Sequence, residues 1–466
     1  MRDWLLSDQP AQLLPARSQM AFTLMFHIIF VPLGVALPAL MLIANYKGLR
    51  RGDQVALTLA RRWSHVAGLT FAVGAVSGTV LSFEMGLLWP GLTGVFGDVF
   101  GLPFMIEGIA FFLEAILVAI YIYGWRRLKP WTHFWLGLPI PFIAILGAFS
   151  IIAANSWMNT PAGFTMGADG LPTNIDPVAA IFTDALPYEL SHFLLAMYMA
   201  AGFMVASVYA VGWFKGRRDR YHRLGFLIPF TVAAIATPLQ FIAGDTIARW
   251  LAGAQPVKFS AMEVVTQSGT DQPEIMFGRF DAATNTVTGG LSIPGLNSIL
   301  VGFSTDTYVQ GLNAVPAGDW PSNVNIVHWA FDIMVTIASL LGVLALWFAF
   351  LYWRKREVPS NKLFLWCAIA AAPLTVLAVE SGWIVTEVGR QPWIVYNVMR
   401  TAQAVTHAEG IWISFTVVVL LYAFLATATI TVLRVMARRW RGTQHTDDTA
   451  AVYGPRPDLD RTGTAS

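Results

Sequence analysis

Residues 102–124 read LPFMIEGIAFFLEAILVAIYIYG. As a helix, a run of this length crosses the roughly 30 Å of hydrocarbon in a bilayer. It holds no base and only two acids, Glu107 and Glu114. Seven residues make two helical turns, so both carboxyls point the same way, about 10 Å apart along the axis. An ionisable group inside a membrane is costly and marks function by default. Two on one stripe suit a path for protons. The plainer reading is a pair of structural interhelical hydrogen bonds.

This run is one of nine. The others cover residues 20–44, 65–89, 132–156, 190–214, 224–250, 326–353, 362–386 and 408–433. Apolar residues make up 56% of the 466 and charged residues 12%, against about 25% charged in soluble domains. Mean hydropathy is +0.57. An ordinary soluble enzyme is excluded, and the expectation is an all-α polytopic membrane protein with nine transmembrane helices. The 13% of aromatic residues excludes a disordered chain. The first run starts too late and is too long for a signal peptide, and no small-residue cleavage site follows it. The expected organisation is helices 1–6 within residues 1–250, a polar outer segment over 251–325, helices 7–9 within 326–433, and a polar, solvated tail over 434–466. A connection as long as 251–325 in a compact protein is usually functional.

Basic residues set the orientation. Alternate connections and the tail carry 23 of the 30 Lys and Arg, among them Arg50, Arg51, Arg126, Arg217 and Arg354. The other side carries 7. The N-terminus is therefore expected outside and the C-terminus in the cytoplasm.

The lone cysteine, Cys367, excludes an internal disulfide, a Cys-ligated cluster and a Cys-x-x-Cys-His haem attachment. The eight histidines contain no adjacent pair and no His-x-x-x-His, so no local copper or zinc motif exists. Single soft or ionisable groups are more telling. His27, His192, Met334 and Glu387 come from four different helices and count to similar depths near the outer face. A buried histidine is more often a hydrogen-bonded core residue. Four such groups at one depth point to axial ligation of haem, although His328 and His407 also lie on the outer side. The end of the eighth run, ESGWIVTEVGRQPW over 380–393, adds Glu380, Trp383 and Arg390. Trp383 and Glu387 share a helix face, and Arg390 is suited to a carboxylate or a haem propionate. An interfacial Trp and Arg anchor accounts for Trp393 but poorly for two acids and an Arg in ten residues. In the outer segment, Lys258 and Glu263 follow Gly244-Asp245; their spacing alone says little.

These motifs together resemble the cytochrome bd-type quinol oxidase subunit I family. The resemblance runs from Arg17 to about Arg434. It is carried by Arg17-Ser-Gln-Met-Ala-Phe-Thr-Leu-Met-Phe-His27, by Gly97-Asp98-Val99-Phe100-Gly101 with Glu107 and Glu114, by Asn155-Ser156-Trp157-Met158, and by Gly389-Arg390-Gln391-Pro392-Trp393. It implies that His192 and Met334 ligate a low-spin haem b. His27 and Glu387 would ligate the two haems of an oxygen-reducing centre, a high-spin haem b and a haem d or third haem b; which takes which is open. Glu107 and Glu114 would pass protons to that centre, with Trp383 and Arg390 beside it. Lys258 and Glu263, with Asp245 before them, would serve the quinol-binding loop. The implied activity is quinol oxidation outside and reduction of O2 to water with protons from the cytoplasm, electrogenic without pumping. The implied partners are a homologous subunit II, a small single-helix subunit and membrane lipid, with no nucleic acid, in the bacterial cytoplasmic membrane. The chain departs from the family at Asp332, where many members have Arg and where an acid would lower the potential of a nearby haem, and at Met20 in place of Phe. The outer segment is of the short type.

Two rival readings remain. A haem-bearing electron carrier without oxygen chemistry would need only His192 and a partner ligand, and leaves His27, Glu387, Glu107 and Glu114 idle. A proton-coupled transporter would show broken helices in matched halves, and no such symmetry is present. A haem–copper oxidase would need clustered histidines for copper, which are missing.

Overall fold

The computed structural model describes residues 10–442 and 452–453. Fifteen α-helices occur among them. The chain begins with α1 (Leu13–Ile28), α2 (Val31–Arg51), α3 (Gln54–Leu88) and α4 (Pro90–Gly124). Next come α5 (Pro130–Gly137), α6 (Pro139–Asn159), α7 (Pro177–Ile181), α8 (Leu186–Phe214), α9 (Arg220–Ala254) and α10 (Pro256–Met262). The last are α11 (Leu296–Gly302), α12 (Val324–Lys355), α13 (Lys362–Arg390), α14 (Thr401–Ala404) and α15 (Ile411–Gly442). Nine segments among the described residues are long and apolar enough to span a membrane: α1 with α2, α3, α4, α5 with α6, α8, α9, α12, α13 and α15. They match the nine runs in order. Several are longer than the apolar core that announces them, because helix continues into the interface; α3 and α4 each run 35 residues.

The polar connections start helices by capping. Asp53 accepts from the Ala56 N–H at the start of α3, and Asp219 from His222 at α9. Asn323 and Asn361 do the same for α12 and α13. Prolines stand inside α2, α4, α9 and α13, which packed neighbours in a membrane bundle tolerate.

Lipid offers no hydrophobic drive between helices, so close packing holds them together. At Gly202 of α8 a Cβ would stand 2.6 Å from the Pro229 carbonyl oxygen of α9. Towards the basic end of the bundle, Phe230 is fully buried, its ring 5.3 Å from Phe203, 4.9 Å from Phe226, 4.5 Å from Phe348 and 5.8 Å from Phe364. One ring thereby ties α8, α9, α12 and α13.

The segment 251–325 is structured. It contains α10, α11 and two antiparallel pairings, β1 (Glu274–Met276) with β4 (Leu291–Ile293) and β2 (Arg279–Asp281) with β3 (Thr286–Thr288), folded over the end of the bundle that carries Asn159 and Arg390. The tail from Arg434 differs from a simple solvated segment. No breaker interrupts residues 434–441, so α15 continues to Gly442. Further on, the Tyr453 hydroxyl lies 2.9 Å from His133 Nδ1 and accepts from the Asn45 amide at 3.3 Å. The rest of the tail and residues 1–9 lie outside the described residues.

Phe230→Ala is expected to destabilise the bundle by about 3–5 kcal/mol, read as a lower thermal unfolding midpoint of the purified protein. An unchanged midpoint would show that the aromatic cluster does not hold these four helices.

Candidate functional site

His27 stands near the end of α1. That helix starts at Leu13, so His27 is fourteen residues or about 21 Å along it, deeper than counting from residue 20 gives. Its Nδ1 lies 2.9 Å from Ser77 Oγ of α3. The Ser77 hydroxyl gives its own hydrogen to the Val73 carbonyl at 3.0 Å. It therefore accepts from Nδ1–H and leaves the Nε2 lone pair open, which is how a second partner orients a ligating histidine. The ring rests on Gly78, where a Cβ would stand 3.2 Å from Cε1.

His192 is six residues past the start of α8, with the Gln240 amide nitrogen of α9 3.2 Å from Nδ1 and 3.3 Å from Nε2. Its ring lies over Gly244, 3.6 Å from a Cβ built there. Met334, on α12, puts its sulfur 3.1 Å from a Cβ built at Gly382 of α13. The residue after that glycine, Trp383, meets the ring of Phe193 edge-on at 6.3 Å. The Gly382–Trp383 step of α13 thus touches Met334 on α12 and the neighbour of His192 on α8.

Glu387 is held from two sides. Arg390 Nη2 donates to Oε2 at 2.5 Å and Asn155 Nδ2 donates to Oε1 at 2.8 Å. Arg390 is 3% exposed, and its Nε and Nη1 donors meet no partner. From Asn155 the contacts continue: Asn159 Nδ2 donates to Asn155 Oδ1 at 3.0 Å and to Glu189 Oε1 at 2.9 Å, and Lys258 Nζ donates to Asn159 Oδ1 at 2.7 Å. Gln255 Nε2 reaches the Asn159 carbonyl at 2.6 Å. One column of polar groups therefore joins the outer segment to Glu387.

The three residues expected to serve a quinol-binding loop, Lys258, Glu263 and Asp245, are not brought together. Lys258 is buried on Asn159, and burial first, then the Arg390 guanidinium, pulls its ammonium down to about 7. Glu263, five residues on, turns to the other side. Burial first, and then Glu274 and Asp332, push its carboxyl well above the ordinary range. Glu274 is raised too, chiefly by burial. Asp332 accepts from the Phe277 N–H at 2.5 Å and lies 3.3 Å from His328 Nε2. His328 is fully buried, donating Nδ1–H to the Met262 carbonyl and accepting from Gly278 N–H. Asp245 is elsewhere, in an exposed double hydrogen bond with Arg249 at 2.8 Å.

Glu107 and Glu114 sit two turns apart on α4, half-buried, with no hydrogen-bond partner among the described residues. Sequence reasoning gave no role to five acids or amides that the structure makes prominent. Glu84, 3% exposed, accepts from Gln19 and Thr23 at 2.9 Å each; an acid inside the run 65–89 was the signal for it. Glu189 and the Asn155–Asn159 pair give none at sequence level, because their roles come from contacts across helices. Glu274 acts only through folding of the outer segment.

Among the described residues, no three His, Cys, Asp or Glu side chains gather as they would around a bare metal ion. Single ligand-type side chains lying against glycines are the pattern a flat macrocycle with its own ring nitrogens requires. The spare Arg390 donors are groups that anionic propionates at the rim of such a ring can engage. The residues fit haem.

Comparison with known proteins agrees. Residues 15–440 match the family of cytochrome bd terminal oxidase subunit I, and the chain belongs to that family. It is 32% identical over 429 residues to a Bacillus subtilis (strain 168) protein provisionally named cytochrome bd menaquinol oxidase subunit I, covering 90% of this chain and 95% of that one. It is 31% identical to cytochrome bd ubiquinol oxidase subunit 1 of the same strain, covering 85% and 86%. The bd oxidase structure from Geobacillus thermodenitrificans superposes with a TM-score of 0.86 at 35% identity, covering 93% of this chain and 99% of that chain. The protein is a multi-pass membrane subunit of a respiratory oxidase.

Because burial and its neighbours raise the Glu263 carboxyl in the folded state above its unfolded value of about 4.5, this group's contribution to stability falls as pH rises. Glu263→Gln is expected to raise the thermal midpoint relative to the parent at about pH 8 and not at about pH 4. An equal difference at both would contradict a raised Glu263.

Proposed function

We propose that this chain is subunit I of a terminal quinol oxidase that oxidises quinol at the face carrying the long loop and reduces O2 to water at a two-haem centre, with protons drawn from the basic, cytoplasmic end. The observation that carries this reading is the set of ligand-type side chains from separate helices, three of them against glycines, beside an arginine with spare buried donors.

Haem, when bound, supplies one-electron storage and an iron able to bind O2. His192 and Met334 hold the low-spin haem b. His27 and Glu387 hold the pair at the oxygen-reducing centre, a high-spin haem b and a haem d or third haem b. Arg390 holds Glu387 through a hydrogen bond and offers its free donors to a propionate. Trp383 packs at the same step. Glu114 and then Glu107 carry protons along α4 toward the centre. At the outer face Lys258 and Glu263 are the two groups suited to take protons from quinol, and Asp245 with Arg249 lies at its edge. Because quinol protons leave outside and oxygen's protons enter from inside, charge moves across the membrane without a pump.

The positive-inside count places the N-terminus outside, in the bacterial cytoplasmic membrane. The exposed apolar faces of the bundle suit a homologous subunit II, a small single-helix subunit and lipid. The two Bacillus subtilis relatives carry menaquinol in one name and ubiquinol in the other, and either quinol suits the groups here.

The test is a dithionite-reduced minus air-oxidised spectrum of the purified complex, with CO added afterwards. Low-spin b bands with a far-red, CO-sensitive band give haem d; b bands alone with CO binding give a third haem b. His192→Ala is expected to remove the low-spin bands and His27→Ala the CO response. Glu107→Gln should keep the spectrum and lower O2 consumption by about 100-fold. A haem-free complex, or unchanged turnover in Glu107→Gln, would overturn the reading.

A further inference from the structure

Lys258 has no direct way to discharge a proton. It is 3% exposed, its stem packs on Gly389, where a Cβ would stand 2.9 Å from Cγ, and its ammonium donates to Asn159 Oδ1. The Asn159 side chain is turned with its oxygen to the lysine and its nitrogen to Glu189 Oε1, 2.9 Å away. An amide orients but does not take the proton. Two carboxylates lie next along the column. Glu387 has each oxygen engaged, by Arg390 and by Asn155. Glu189 has only Oε1 engaged; its Oε2 is buried with no partner. The charged groups facing Glu189 are Lys258, Arg390 and Glu387, two cations and one further anion. Asn159, between Lys258 and Glu189, also lines a cleft of about 510 Å³ with Thr183, Asp184, Tyr396 and Asn397.

We propose that Glu189 is the acid through which a proton taken from quinol by Lys258 leaves for this cleft. The inference rests on the reading of Lys258 as a quinol proton acceptor. Each quinol gives up two electrons and two protons in becoming quinone. The electrons go on to the haem. A proton moves from the quinol hydroxyl to the neutral Lys258 amine, from the ammonium to the Glu189 carboxylate, and from the carboxyl to water in the cleft. The second proton follows the same route once Lys258 is empty. Asn159 is the positioning residue of this path.

The experiment mixes the complete, anaerobic complex in nanodiscs with quinol and follows haem reduction and, with a pH dye, proton release. In Glu189→Gln the first reduction is expected near the parent rate while proton release slows by about 100-fold, and the redox-difference infrared spectrum loses one carboxyl band. Glu189→Asp should restore part of the release. Asn159→Leu, checked for an intact haem spectrum, should slow release in the same way and covers the case in which Glu189→Gln does not assemble. Lys258→Met should block the first reduction itself. Parent-rate proton release in Glu189→Gln with a slow Lys258→Met overturns this inference alone. Parent-rate reduction in Lys258→Met overturns the reading of Lys258 and this inference with it.

Discussion

A carboxylate placed among membrane helices persists only if other groups take over the role of water. At Glu387 two groups do so, the Arg390 guanidinium on one oxygen and the Asn155 amide on the other. Much of the outer half of the molecule is arranged around that demand. Asn155 is itself held by Asn159, one turn on, and Asn159 by Gln255 and Lys258 of the outer segment. The segment that would meet quinol and the helix end that would hold haem are therefore parts of one hydrogen-bonded body. A change in charge at Lys258 is felt at Glu387 through two amides.

The two sides of the outer segment differ in chemistry. On the Lys258 side, cations and anions alternate: Lys258, Glu189, Arg390 and Glu387. On the Glu263 side, three acids and one histidine crowd together, and burial and its neighbours raise the Glu263 carboxyl. Asp332 belongs to this second group. Its carboxylate is tied to the Phe277 N–H and lies beside His328, so much of the effect it would have on a haem proposed to be held by Met334, two residues along, is shared with the groups it binds. Lys258 and Glu263, five residues apart, thus sit in different surroundings.

The nine membrane helices were legible because hydrocarbon thickness fixes the length of an apolar run, and the runs here are uninterrupted. Their ends were less legible, since helix persists beyond the run; α4 starts at Pro90, twelve residues before the run at 102, across a stretch broken by Gly91, Gly94, Gly97 and Asp98. Individual residues such as His27, Glu107 and Glu387 stood out because a polar group in such a run is conspicuous on its own. Asn159 and Glu189 did not stand out. Both are ordinary at a helix end, and only the crossing of α6, α8 and α10 brings them together. Lys258 and Glu263 looked like solvated loop residues, yet folding of the outer segment buries both. The glycines at 78, 244 and 382 were equally silent, because their meaning lies in the side chain across from them.

The account depends most on the claim that His192 and Met334, on α8 and α12, serve one low-spin haem. Near-infrared magnetic circular dichroism of the oxidised complex tests it directly, because a histidine–methionine pair and a bis-histidine pair give different ligand-to-iron charge-transfer bands. The band of a histidine–methionine haem, lost in Met334→Leu while the high-spin signals persist, is the predicted result. A bis-histidine band, or a spectrum that Met334→Leu leaves unchanged, would contradict the account.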